Sequence, residues 1–149
     1  MFGIAVALGV VALAVAWFYL LRFFRDSSMR SLAERLGFRY AGRSLHNSFP
    51  ATAEPFDKVS LKWNVICGQR DGLEIVIFDG IFGSGRGIYR TYISVCTPKD
   101  PFPSTRGVLE KVLESNGWSA LFGRQKALDL VPWSLSVRRI EELVNSLTQ

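Results

Sequence analysis

The chain opens on twenty uncharged, almost wholly apolar residues, Phe2 to Leu21, and its first charged side chain is Arg22. As a helix this run is about 30 Å long, the hydrocarbon thickness of a bilayer. Trp17 and Tyr19 lie near its end, where amphipathic rings favour the headgroup zone. Phe23 and Phe24 extend that aromatic belt, and the stem of Arg22 is long enough to snorkel to the interface. The pattern predicts a transmembrane anchor over residues 1–21 and a basic juxtamembrane helix over 22–36. Arg22, Arg25, Arg30 and Arg35 follow the apolar run against Asp26 and Glu34, and no charged side chain precedes it. The positive-inside rule then places the rest of the chain in the cytoplasm, as a single-pass inner-membrane protein with its N-terminus outside. Ala14-Val15-Ala16 has the small-x-small form of a signal-peptide cleavage site, but signal peptides carry their basic residues before the apolar stretch. A run this uniformly apolar is also rare as a core helix of a small soluble protein.

Downstream, the periodicity shortens. Met29, Leu32, Ala33 and Leu36 recur at helical spacing, and Gly37 is a natural helix stop. Phe38 to Ala41 alternates as a short strand, and residues 42–60, with Pro50 and Pro55, read as a surface loop. Trp63–Arg70 and Leu73–Ile81 flank Asp71-Gly72, a strong two-residue hairpin signal. That register sets Gln69 opposite Glu74, Cys67 opposite Val76 and Val65 opposite Phe78. Tyr89–Thr97 supplies a third strand of a meander, ended by Pro98, Pro101 and Pro103. A helix is expected over Thr105–Asn116, from the spacing of Val108, Leu109, Val112 and Leu113. A second hairpin is expected from Trp118–Phe122 and Ala127–Val131, and a final helix over Ser136–Leu147. Strands and helices are segregated, which gives an α+β class: one domain over 37–149 with a mainly antiparallel sheet and packed helices.

The 149 residues carry a net charge of +5, unevenly spread. Residues 22–43 hold six arginines against two acids, a balance of +4, so the basic character sits beside the anchor and suits anionic lipid headgroups. The rest of the chain shows no basic stripe with groove-reading elements, which argues against a nucleic-acid partner. Cys67 and Cys96 form no CxxC or zinc-type pattern and read as thiols in a reducing compartment; a disulfide would need the opposite topology.

Gly83-Ser84-Gly85-Arg86-Gly87 is the most tempting motif, since backbone amides of a glycine-rich loop can cradle phosphate. It is neither a P-loop nor a dinucleotide fingerprint, and it joins two strands instead of opening a helix. With Asp79 and Arg90 it makes a candidate phosphate- or nucleotide-ligand site. The plainer reading is a hairpin connection, with Asp79 forming an exposed ion pair with Arg86 or Arg90. Asp79 and Glu74, five apart on a strand, point to opposite faces and form no carboxylate pair. His46, the only histidine, lies in the 42–60 loop without neighbouring metal ligands. Trp63, Trp118 and Trp133 read as core residues. Arg22, Arg25 and Arg30, with Trp17 and Tyr19, are the candidate membrane-surface residues. No catalytic constellation, metal site or cofactor motif emerges.

Leu32-Ala33-Glu34-Arg35-Leu36-Gly37-Phe38-Arg39-Tyr40 resembles the opening of a group of uncharacterised bacterial and archaeal membrane-anchored proteins. Asn64-Val65-Ile66-Cys67-Gly68, Gly72 through Asp79, Gly83-Ser84-Gly85 and Thr91 through Val95 follow in that group's order. Gly80 stands where the group's pattern has an aromatic residue. The resemblance implies a membrane-anchored α+β domain and carries no catalytic residue with it. The expected function is a non-enzymatic interaction or scaffolding domain, with a protein partner or a second copy of the chain. A tethered phosphate- or nucleotide-binding domain is the alternative.

Overall fold

A computed structural model describes residues 2–43, 59–82, 88–97, 110–115, 117–122 and 135–147. The fold is α+β, as the sequence pattern predicts. One unbroken helix, α1 (Phe2–Leu36), contains both the apolar run and the juxtamembrane segment. Its 35 residues span about 52 Å. It is long and apolar enough to cross a membrane, and its apolar stretch is buried against nothing in the protein. Its last three turns are different: Met29, Leu32 and Ala33 are fully buried. Gly37, at φ 70°, ends the helix. The Phe38 amide donates to the Ala33 carbonyl (2.8 Å) and the Gly37 amide to that of Glu34 (3.1 Å), the paired bonds of a Schellman stop.

The chain then forms β1 (Arg39–Gly42), β2 (Val59–Arg70), β3 (Leu73–Phe82), β4 (Ile88–Cys96), β5 (Glu110–Ser115), β6 (Trp118–Phe122) and α2 (Val137–Ser146). The strands make one six-stranded antiparallel sheet in the order β1-β2-β3-β4-β6-β5. The β2–β3 turn is as expected: Asp71 (φ 49°) and Gly72 (φ 79°) both take positive φ, and Gln69 pairs with Glu74 and Cys67 with Val76. Ser136 caps α2, its side chain accepting from the Arg139 amide at 3.2 Å.

Three expectations are corrected. The register does not continue to Val65–Phe78, because a bulge intervenes: Ile66 pairs with Ile77, but Trp63 pairs with Asp79. Asn64, at φ 53°, supplies the irregular backbone. A second bulge lies at Leu61 (φ 41°), between the Ser60–Ile81 and Lys62–Gly80 pairs. Within the helix expected over Thr105–Asn116, Glu110–Ser115 is strand β5, and Ser115 pairs with Trp118; residues 105–109 and 116 lie outside the described residues. An Asn-Gly hairpin signal outweighs a short apolar spacing that fits either element. β4 and β5 occupy both edges of Trp118–Phe122 (β6), the strand expected to pair with Ala127–Val131. Residues 127–131, like His46 and Trp133, lie outside the described residues.

The sheet is buried on both faces. Met29, Leu32 and Ala33 of α1 and Ile140, Leu143 and Val144 of α2 pack on one face, against Ile66, Ile75, Ile77, Ile93, Val95 and Leu121. Alternate residues form the opposite layer, where Phe78 and Tyr92 stack with ring centroids 4.9 Å apart, beside Val76, Trp118 and Ala120. Burying side chains of this size contributes roughly 1.5–3 kcal/mol each. Arg35 joins the helices, its guanidinium donating to both Glu141 oxygens at 3.3 and 3.0 Å, and Arg70 ties the hairpin to Asn145 of α2 at 2.6 Å. Cys67 is buried and Cys96 half-buried; both are free thiols.

The Phe38 ring lies directly on the Gly68 backbone, so that a Cβ at 68 would stand 2.1 Å from Phe38 Cδ1. Gly68→Ala is expected to destabilise the domain by about 1–3 kcal/mol through overpacking. Chemical denaturation checks this, and combining Gly68→Ala with Phe38→Ala should cost less than the two single losses added together.

Candidate functional site

The helical stripe that buries Met29 and Leu32 and half-buries Leu36 extends backwards at the same spacing to Arg25, which is 5% exposed. Opposite it on β3, Asp79 shares the helix-facing parity of Ile75 and Ile77 and is 1% exposed. The two meet as a bidentate pair. Arg25 Nε donates to Asp79 Oδ2 and Nη2 to Oδ1, each at 3.0 Å. Asp79 therefore pairs with a helix residue inside the protein. At 1% exposure it is not the solvent-exposed cross-hairpin partner that its position suggested, and Arg86 lies outside the described residues. Arg25, expected among the headgroup-facing arginines, points into the domain.

Every surrounding group is matched in polarity. Asn64 Nδ2 donates to Asp79 Oδ2 at 3.0 Å. The Thr91 hydroxyl donates to Asp79 Oδ1 at 2.6 Å and accepts from Arg25 Nη2 at 3.0 Å. Arg25 Nη1 donates to the Leu135 carbonyl at 3.0 Å, just before α2. The Asn64 bulge matters here. It sets both Trp63 and Asn64 against the helix side of the sheet, where a regular strand would turn one of them away. Asn64 then links to the next shell: the Tyr40 hydroxyl donates to Asp26 Oδ1 and lies 3.0 Å from Asn64 Oδ1. Arg30 bonds Asp26 at 3.0 Å and stacks over the Tyr40 ring at 4.6 Å. Burial, together with Asp26, pushes the Tyr40 hydroxyl well above the ordinary tyrosine range. Burial likewise pushes Tyr92 up to about 12, partly offset by Arg90.

One turn nearer the apolar run, Arg22 lies over the Trp63 ring, 5.5 Å from its centroid. A cleft of about 310 Å³ opens there between the helix and β2, lined by Phe18, Arg22, Arg43, Leu61, Lys62 and Trp63 among others. A second, about 550 Å³, shares Arg22, Arg43 and Trp63 with it. Trp17 and Tyr19 are exposed on the helix just above. Residues Gly83, Ser84, Gly85, Arg86 and Gly87 lie outside the described residues. Of the candidate ligand set that leaves Asp79, whose two oxygens already accept four hydrogen bonds, and Arg90, half-buried on β4.

Sequence reasoning missed the Arg25–Asp79–Asn64–Thr91 cluster. The signal was present: Arg25 stands four residues before Met29 and seven before Leu32, and Asp79 is the one charge in the run Ile75-Val76-Ile77-Phe78-Asp79. Comparison of the chain with known protein families, with curated proteins and with solved structures gives no match.

Removing one partner leaves a buried uncompensated charge, so Arg25→Met or Asp79→Leu alone should each cost about 3–5 kcal/mol. The double variant, which replaces the pair by apolar bulk, should recover much of that loss. Urea unfolding of the full chain in detergent checks both. Alkali provides a separate test. Well below pH 10 Tyr92 is neutral whether folded or unfolded. Between about 10 and 12 the unfolded chain loses the Tyr92 proton while the folded chain keeps it, so stability falls as pH rises. Tyr92→Phe should flatten that fall, and the absorbance change at 295 nm lost in Tyr92→Phe should lie above the ordinary tyrosine range.

Proposed function

We propose that the chain is a single-pass protein of the inner, cytoplasmic membrane. Its α+β domain sits on the cytoplasmic side as a rigidly mounted interaction domain for a protein partner or a second copy of the chain. The observation that carries this reading is the joint between helix and sheet. The helix that is apolar enough to span a bilayer runs without a break into the domain core, and the Arg25–Asp79 pair pins it there. A tether needs only a flexible linker. An unbroken helix fixed by a buried ion pair sets how far the sheet stands from the lipid and which edge faces it. That geometry suits a module that presents a surface in a fixed orientation.

The orientation rests on the arginines that follow the apolar run. Of these, Arg22 is only half-buried and Arg30 is exposed, so their charge remains near the helix exit. The same basic collar supports attraction to anionic headgroups. For a phosphate or nucleotide site centred on residues 83–87, Asp79 is already committed to Arg25.

Three measurements test the reading. A reporter fused after Gln149 should be active as a cytosolic fluorescent protein and silent as a periplasmic phosphatase. The full-length chain should resist carbonate extraction; a shortened product in the periplasm would overturn the anchor. A pull-down of the intact protein in mild detergent should recover one stoichiometric partner or a homo-oligomer, and repeated recovery of a bare monomer would overturn the interaction role.

A further inference from the structure

The cleft beside Arg22 has a composition that the clamp does not explain. Arg22, Arg43 and Lys62, whose Nζ also donates to the Val59 carbonyl at 2.5 Å, bring three cations to a space of about 310 Å³, and among the described residues no acidic one lines it. Among the described residues, neither Arg22 nor Arg43 has a carboxylate within ion-pair distance. The remaining lining is apolar: Phe18 from the helix, Leu61 and Trp63 from β2, and Ile81 from β3. Leu61 is notable, because it is 71% exposed and held at φ 41°, a conformation that a branched apolar residue rarely adopts. Water gives no reason to display leucine there. A hydrocarbon neighbour does.

The level of the cleft along α1 supplies that neighbour. Phe18 belongs to the last turn of the uncharged run, and Arg22 is the first charge after it. The apolar wall therefore lies at the depth where acyl chains begin, and the cations at the depth of the phosphates. We infer that this cleft binds the headgroup of an anionic phospholipid, its phosphate held by Arg22, Arg43 and Lys62 and its upper acyl chain lying on Phe18 and Leu61. Trp63, under the Arg22 guanidinium, holds that side chain in place through the cation–π stack. Arg22 and Arg43 also line the neighbouring cleft, where Asp26 lies; that carboxylate is already engaged by Arg30 and Tyr40. The inference rests on the membrane placement proposed above, and it makes that placement specific: the domain meets the bilayer through one lipid site as well as through its anchor.

The test uses the full chain in nanodiscs or mild detergent with phosphatidylglycerol or phosphatidylcholine as probe, read by native mass spectrometry. One retained phosphatidylglycerol per chain is expected, with phosphatidylcholine excluded. Arg43→Gln combined with Lys62→Gln should weaken retention about thirty-fold, since each basic residue near an anionic surface is worth roughly fivefold. Leu61→Asn, whose side chain tolerates positive φ, should keep the thermal unfolding temperature and still weaken retention. Equal retention of the two lipids, or unchanged retention in the double variant, overturns the site. Displacement by millimolar inorganic phosphate overturns the lipid as its occupant in favour of a free anion. Each of these results is obtained with a chain that still resists carbonate extraction, so failure of the site is distinguishable from failure of the anchor.

Discussion

The joint depends on a pair of opposite charges taken out of water. Arg25 and Asp79 are each at most 5% exposed, and an isolated charge in that environment would be prohibitively unfavourable. Their mutual attraction does not by itself offset desolvation; the additional bonds do. Asp79 accepts from four donors, and Arg25 reaches a carbonyl and a hydroxyl besides the carboxylate. The net gain in stability over an apolar pair of the same volume is small or negative by that reasoning. What the pair adds is register. Met29, Leu32 and Leu36 form an apolar stripe that could dock against the isoleucines of the sheet one turn higher or lower with modest loss. A guanidinium that must meet one carboxylate has a single position.

That position is reached only because the β2 strand is irregular. A regular ladder would set Val65 against Phe78 and turn Asn64 or Trp63 away from the helix. With the bulge, Asn64 caps Asp79 and also bonds Tyr40, so the chain of contacts runs from α1 through β2 to β1 and back to Asp26 of α1. Thr91 brings in β4, and the Leu135 carbonyl brings in the start of α2. One side chain thus touches most of the elements that bury the helix face. The positive φ of Asn64 is a local cost that the network accounts for.

Much of this architecture was legible in the sequence. The two helical segments of α1 (though not their continuity across Ser27-Ser28), the Asp71-Gly72 hairpin with two of its pairs, and the amphipathic final helix follow from spacing and turn chemistry, which act locally. The failures share a cause as well. Residues 110–115 carry an apolar spacing compatible with two elements, and the choice was made by pairing with β6, which single-segment periodicity does not register. Arg25 beside a membrane-length run invites a headgroup reading, because charge near lipid is the commoner arrangement. Its burial depends on a carboxylate 54 positions away. Only the parity of Asp79 within an apolar strand hinted at a partner, and parity names a face without naming what covers it.

Continuity of the helix has a mechanical consequence for the proposed membrane placement. A flexible linker would uncouple the tilt of the anchor from the attitude of the domain. Here the final turns of α1 are core residues, so rotation or tilt of the spanning segment must carry the sheet with it. The exposed apolar surface of α1 ends within a turn of Arg22, and Leu61 stands at the same level on the sheet side. On that placement, two apolar elements at one depth, joined through a rigid clamp, would resist rocking in a way that a single helix cannot. Rigidity at Arg25–Asp79 and contact at Leu61 are therefore one design: the first would transmit force to the sheet, and the second would fix the sheet's angle to the lipid.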